Sequence, residues 1–191
     1  MVLEAPILEN DRVKLLPLSM TNYHLLHEIA LEHKIIQYSP SNISNEKEYT
    51  QYVKTALKEQ EKGKAIPYII YDKLKSQYIG STRFGCIDYY HKVLHIGWTW
   101  ISKTAQGTGV NKQMKFLMLH HAFETLVFEK VEFRIDERNI RSRKAVEKIG
   151  GSLEGILRKN TLMQDGFRRN TCCYGILAED WPKIKREQFK L

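Results

Sequence analysis

Cysteine is scarce in this sequence: 191 residues contain three, Cys86, Cys172 and Cys173. An odd count with two neighbours in direct succession does not build a disulfide framework, so a reducing, cytoplasmic setting is expected. Long apolar runs are missing as well. No stretch reaches the 18 or more apolar residues of a transmembrane helix, and no membrane partner is expected. The opening "MVLEAPILENDRVKLLPL" carries acids early and no apolar core, unlike a secretory signal. Cysteine and histidine never fall at metal-ligand spacing, and His120 and His121 point in two directions from a helix, so no metal is expected. Repeats, low-complexity tracts and linkers are also lacking, which leaves one domain over 1–191.

What is present is positive charge. The formal net charge is +8 and the isoelectric point about 9.3. Between Lys130 and Arg169 eleven Lys and Arg face six Asp and Glu. Such an excess favours polyanions: nucleic acid, the ribosome or a phosphorylated cofactor.

Periodicity supplies the elements. Residues 12–18 read as a strand. Residues 19–33 read as a helix, capped by Thr21 or Asn22, with Leu25, Leu26 and Ile29 as a short apolar stripe. A second helix covers 45–63 and stops at Gly63. Three β-branched and aromatic runs follow at 65–73, 77–88 and 93–102. Val110, Met114, Leu117, Met118, Ala122, Leu126 and Val127 recur at helical steps and predict a helix over about 109–128. A strand at 130–136, a helix at 139–151 capped by Asn139, and a hairpin over 152–177 turned at Asp165-Gly166 complete the reading. The order β-α-α-β-β-β-α-β-α-β-β describes a mixed α/β sheet with helices on its faces.

Between the third of those runs and the next helix stands "TAQGTGVNKQMKF", residues 104–116. A strand, a glycine turn and a helix start form an anion site. The first helical N–H groups lack internal partners, and glycine lets the backbone come close to a phosphate. No acidic residue lies between Thr104 and Phe116 to repel one. The loop lacks the Gly-Lys-Ser/Thr of a Walker motif. It also has Lys112 where a dinucleotide fingerprint needs its third glycine.

"QGTGVN" resembles the Q/R-x-x-G-x-G/A pyrophosphate loop of the GNAT superfamily of N-acetyltransferases. Gln106 matches the first position and Gly109 the fourth, while Asn111 departs from the small final residue. "HIGWTWIS" is similar to the superfamily's fourth strand and "NIRSRKAVEKIGG" to its N-x-x-S helix. "RKNTLMQDGFRRNTCCYGIL" resembles the closing strands of the RimL-like branch, the ribosomal-protein N-terminal acetyltransferases. The resemblance implies a GNAT fold, with a mixed, mostly antiparallel sheet, splayed central strands and flanking helices. It implies acetyl-CoA as cosubstrate, with the amides of Gly107, Thr108, Gly109, Val110 and Asn111 on its diphosphate. The backbone of Trp100 and Ile101 would pair with the pantetheine arm, and Asn139 and Ser142 would face the arm and its sulfur.

The implied reaction is direct attack by an amine in a ternary complex, so no cysteine nucleophile is needed. His95 is the candidate base, where many members carry a carboxylate, and Glu154 and Asp88 are lesser candidates. Ser142 is the candidate donor to the departing sulfur. The tyrosine some members use as acid is replaced by Val146, and the Ile101 N–H is a candidate donor to the thioester oxygen if the strand bulges there. The acceptor pocket, walled by the first two helices and the last hairpin, is expected to hold Arg83, Tyr90, Trp98 and Tyr174.

A peptide or protein N-terminus is the first candidate acceptor. A small amine (an antibiotic, a polyamine or an amino acid) is the second. A basic RNA- or ribosome-binding module without chemistry is a third reading, in which the segment "GFRRN" meets RNA. Either a monomer or a homodimer is compatible with the sequence.

Overall fold

β-Branched and aromatic residues dominate the strand segments, and in the computed structural model, which describes residues 5–189, they pair into one eight-stranded sheet. The strands are β1 (Leu8–Glu9), β2 (Val13–Pro17), β3 (Ile66–Asp72), β4 (Gln77–Asp88), β5 (Val93–Ile101), β6 (Lys130–Asp136), β7 (Ser152–Leu162) and β8 (Arg168–Leu177). Their spatial order is β1-β2-β3-β4-β5-β6-β8-β7, and every neighbouring pair is antiparallel except β5 with β6.

The helices α1 (His27–Ala30), α2 (Glu46–Glu61), α3 (Val110–His120), α4 (Ile140–Glu147) and α5 (Trp181–Phe189) cover the two faces. Val110, Met114 and Met118 of α3, Val146 of α4 and Trp181 and Ile184 of α5 share one apolar cluster with the sheet. Tyr49, Val53 and Ala56 of α2 join Leu26, Ala30 and Trp100 in a second cluster on the other face. This is the α/β GNAT fold, with its mostly antiparallel sheet and five helices.

The predicted strands agree with the observed ones to within about two residues, and α2 starts at the Asn45 cap, whose side chain accepts from Glu48 N at 3.0 Å. Three departures have physical reasons. The helix expected over 19–33 contracts to a 3-10 turn at Tyr23–Leu26 and the single turn α1. Asn22 does not cap it. Its amide closes the end of β2 instead, accepting from Ser19 N and donating to Pro17 O, both at 2.9 Å.

The helix expected to reach 128 keeps α geometry only to His120 and widens into a π turn over His121–Thr125. Val127 then takes a left-handed φ of 55°. Beyond the predicted hairpin, α5 adds a helix the periodicity did not announce, because its buried contacts reduce to Trp181 and Ile184. Trp181 is 3% exposed, packs on Phe116, Phe123 and Phe189, and donates Nε1–H to Glu124 Oε1 at 2.7 Å. Replacing it by alanine is expected to cost roughly 3–5 kcal/mol, the usual range for a large buried aromatic. The shift of the urea unfolding midpoint, at constant slope, measures it.

Candidate functional site

β5 and β6 are parallel partners over three residue pairs only: Val93 with Lys130, Leu94 with Val131, and His95 with Glu132. β5 continues to Ile101 and β6 to Asp136 without further pairing. One edge of β5 from Ile96 onward, including the backbone of Trp100 and Ile101, therefore has no strand beside it. On its other edge β5 still follows β4, but not in register. Ser81 pairs with Trp100 and Arg83 with Gly97, so Trp98 and Thr99 together oppose Thr82. Trp98 occupies this bulge with φ 49°. The bulge thus falls three residues before Ile101, where the sequence reading had put it conditionally. Gly85 makes room for the indole, since a Cβ there would lie 2.3 Å from the ring.

The chain leaves β5 through a short 3-10 turn at Lys103–Ala105 and enters the glycine loop. Gly107 and Gly109 adopt left-handed φ of 79° and 86°, which the turn requires and which ordinary side chains disfavour. A Cβ on either would meet nothing within 4 Å, so the loop faces open space. The amides of Gly107, Thr108, Gly109, Val110 and Asn111 have no backbone or side-chain acceptor among the described residues, whereas the N–H groups of Lys112 and Gln113 already turn to Gly109 O. Gln106 shapes the loop by donating Nε2–H to Ile101 O at 2.8 Å and accepting from Arg141 of α4. Thr108 Oγ1 donates to Ala105 O at 2.7 Å. Val110 is core, 1% exposed.

These features suit a diphosphate: free donors at a helix start, bare backbone, cations from Lys112 and Arg141 nearby, and no carboxylate within the loop. Asn139 caps α4 by accepting from Ser142 N at 3.1 Å, and the Ser142 hydroxyl has no partner among the described residues. Val146 is buried in the core.

On the α2 face, His95 Nε2 lies 3.0 Å from Glu132 Oε2. Glu132 is shared. It also meets Arg134 Nη2 at 2.8 Å and Lys130 Nζ at 3.2 Å. Burial pushes the imidazole below its ordinary value of 6.5, and Glu132 pulls it the other way without overcoming that. A carboxylate already neutralised by two cations cannot strongly hold a third. Burial raises the Glu132 carboxyl, but Arg134 and Lys130 keep it below the usual range. The sequence reading missed Glu132 and Arg134. The alternation Lys130-Val-Glu132-Phe-Arg134 was the available signal, because period-2 residues of a strand share a face.

Beside this cluster a cleft of about 300 Å³ opens between α2 and the sheet. Gln51, Tyr52, Glu48 and Glu59 form its helical side, and Arg83 and Trp98 its floor. The Arg83 guanidinium is stacked between Trp98 (4.8 Å) and Tyr52 (5.3 Å) and donates to Glu59 Oε2 at 2.9 Å. Gln164 and Arg169 of the last hairpin hold the segment before α2 through Pro40 O and Tyr38 O.

Arg83 and Trp98 thus meet in one cleft, but two expected lining residues do not. Tyr174 is fully buried on the opposite face, its hydroxyl donating to Glu147 Oε1 at 2.8 Å and accepting from Arg143 Nε. Tyr90 stands 89% exposed in the β4–β5 turn, away from the cleft. Asp88 is spent on the same turn, accepting from the Tyr90 and His91 amides, and Glu154 is paired with Lys130 at 2.8 Å. In "GFRRN", Arg169 is folded inward, 7% exposed, so this segment offers less basic surface than its sequence suggests.

Among the described residues there is no cluster of His, Cys, Asp or Glu that could hold a metal, and no helix is long and apolar enough to cross a membrane. No curated protein matches the sequence significantly. Solved structures do. A T. thermophilus protein ascribed to the acetyltransferases is 28% identical with a TM-score of 0.87, covering 100% of this chain and 98% of its own. RimL, a ribosomal alpha-N-protein acetyltransferase, is 20% identical with a TM-score of 0.80, covering 90% and 94%. RimJ of Mycobacterium smegmatis, solved with CoA-disulfide, is 20% identical with a TM-score of 0.77, covering 89% and 84%. The family model of the acetyltransferase (GNAT) domain matches residues 12–152, and the chain belongs to that family of acetyl-CoA-dependent N-acetyltransferases.

Proposed function

We propose that the chain acetylates a primary amine at a peptide or protein N-terminus, by direct attack on acetyl-CoA in a ternary complex. The observation that carries this reading is the unpaired edge of β5 beyond His95. The free amides of Gly107–Asn111 stand at one end, the Trp98–Arg83 cleft at the other, and the unpaired edge of β5 runs between them. Acetyl-CoA supplies an activated acyl group on a thiol leaving group. The loop amides hold its diphosphate, and the separated edge of β5 at Trp100 and Ile101 offers main-chain partners to its amide arm. Asn139 fixes the start of α4 so that the Ser142 hydroxyl is presented to the sulfur.

His95 stands at the last paired position before the strands separate. Kept neutral by burial, it can take the proton that a neutral amine gives up as it attacks the thioester. An α-amine of pKa about 8 is about one-tenth neutral at pH 7, against about 0.04% for a lysine near 10.4. A single histidine of modest basicity meets the first demand far better than the second. RimL, a ribosomal alpha-N-protein acetyltransferase among the structural neighbours, supports the same acceptor class. Glu48 beside the cleft, where Glu59 is already paired with Arg83, favours a cationic acceptor of either kind, so a small amine remains the second reading. Family membership sets aside the non-catalytic module.

Gly109→Asp is expected to abolish acetyl-CoA binding in calorimetry while the circular dichroism spectrum stays native; unchanged affinity in the folded variant would remove the loop from the site. Thiol release against a panel of N-terminal peptides and small amines should favour the peptides. Release with small amines alone would reverse the preference.

His95→Ala should lower turnover by about 10²–10⁴-fold with cofactor affinity intact. The wild-type plot of log kcat/KM against pH should have slope two below both the imidazole and the amine pKa, and slope one between them. His95→Ala should retain slope one throughout, and an unaltered profile would exclude His95 as the base. In Glu132→Gln the anion that favours the imidazolium is gone, so the imidazole break should move to still lower pH.

A further inference from the structure

None of these steps uses Lys115. It lies on α3 with 5% of its surface exposed. Its Nζ donates to Thr99 Oγ1 at 3.1 Å and stands 5.7 Å from the centroid of the Phe133 ring. Thr99 belongs to β5 and Phe133 to β6, and both lie beyond the last paired residues, His95 and Glu132. The ammonium is therefore placed on the α3 side of the gap between the separated strands.

Its surroundings do little to satisfy it. The Thr99 hydroxyl is also engaged with Thr82 Oγ1 at 2.8 Å, and the neighbouring α3 side chains Met114 and Met118 are apolar. One of the three ammonium donors finds an acceptor, and no carboxylate lies within salt-bridge distance among the described residues. Burial pushes the group down to about 7. A buried cation without a counter-charge destabilises a fold, and methionine would fill this place without that penalty. Packing alone does not account for a lysine here.

We infer that Lys115 is a further cofactor-binding residue, its free N–H groups donating to the amide carbonyl oxygens of the pantetheine arm in the gap between β5 and β6. This rests on the reading that the Gly107–Asn111 loop takes the diphosphate of the same molecule. Amide carbonyls are neutral acceptors that a buried ammonium can reach without a second charge entering the core. They occur in the pantetheine half of CoA and are absent from its adenosine bisphosphate half.

That division supplies the test. Binding of CoA, 4′-phosphopantetheine and adenosine 3′,5′-bisphosphate is measured by calorimetry on the wild type and on Lys115→Met. CoA and 4′-phosphopantetheine should bind about 10-fold or more weakly to the variant, the effect of losing a charged hydrogen bond. The bisphosphate should bind both proteins equally. Equal CoA affinity overturns the inference, and so does an equal loss of bisphosphate binding, which would make the lysine structural. A wild type that binds no CoA fails the loop reading itself.

A second measurement needs no stable methionine variant. In wild-type protein carrying ¹³Cε-lysine, the Lys115 signal is assigned by its absence in Lys115→Arg. It should move with 4′-phosphopantetheine and stay in place with the bisphosphate. A signal that ignores 4′-phosphopantetheine rejects the contact.

Discussion

Main-chain hydrogen-bonding groups need partners when they are taken from water, and β5 has a strand partner on both edges over Val93–His95 alone. Past that point β6 turns away, because its whole length is held by seven consecutive pairs to β8, from Lys130 with Leu177 to Asp136 with Thr171. β5 meanwhile stays with β4 through the bulge at Trp98. Two ladders pulling two strands in different directions leave an open edge between them. A bulge increases local twist and re-aims the side chains it carries, and here it turns the Trp98 indole onto Arg83 and over Gly85.

The open edge places a donor-rich loop and the His95 imidazole at its two ends. Ile101 ends the edge, and its carbonyl receives Gln106, so the glycine loop is tied to the strand it follows. His95 begins the edge and is tied to β6 through Glu132. The two ends are chemically opposite. The loop offers N–H groups with no acceptor and suits an anion. The cleft beyond His95 carries Glu48 and Glu59 with Arg83 internally paired, and suits a cation. An acetyl donor with a diphosphate and an acceptor that arrives as an ammonium differ in the same sense.

The cofactor side was the more legible part in the sequence because its determinants are local. Gly107, Gly109 and Asn139 each act within a few residues, through φ or a cap, and the quoted motifs carry them together. The acceptor side is built by register across distant segments. Arg83 and Trp98 come together in one cleft, whereas Tyr174 lies on the other face of the sheet. A period of two assigns a residue to one of two faces without saying which. Glu132 needed the parallel pairing of β5 with β6, and Tyr52 and Glu59 needed the docking of α2, neither of which a single strand encodes. Lys115 reads in the sequence as one more cation on an amphipathic helix. Only its position behind Thr99 makes it unusual. The short α1 and the missed α5 show the same limit: a stripe of two or three apolar residues does not fix helix length.

A histidine at position 95 also bears on which amine is acetylated. A carboxylate there would be anionic at neutral pH and would attract an ammonium, holding it charged until the proton moved. The buried imidazole instead leaves the ammonium without a strong anionic partner at the reaction point, since Glu132 is committed to Arg134 and Lys130. Deprotonation is then governed by the amine's own affinity for its proton. For an α-amine the neutral form is already about a tenth of the population at pH 7, which is about 1.4 kcal/mol of free energy to offset, whereas a lysine side chain asks for more than three times as much. With His95 as the proposed base, an active centre so mild would discriminate between the two amines before any contact in the cleft did. Of the two cleft carboxylates, Glu59 is paired with Arg83, and Glu48 lies on α2 rather than on β5 or β6, so in the proposed reading recognition of a positive charge would be separate from removal of its proton.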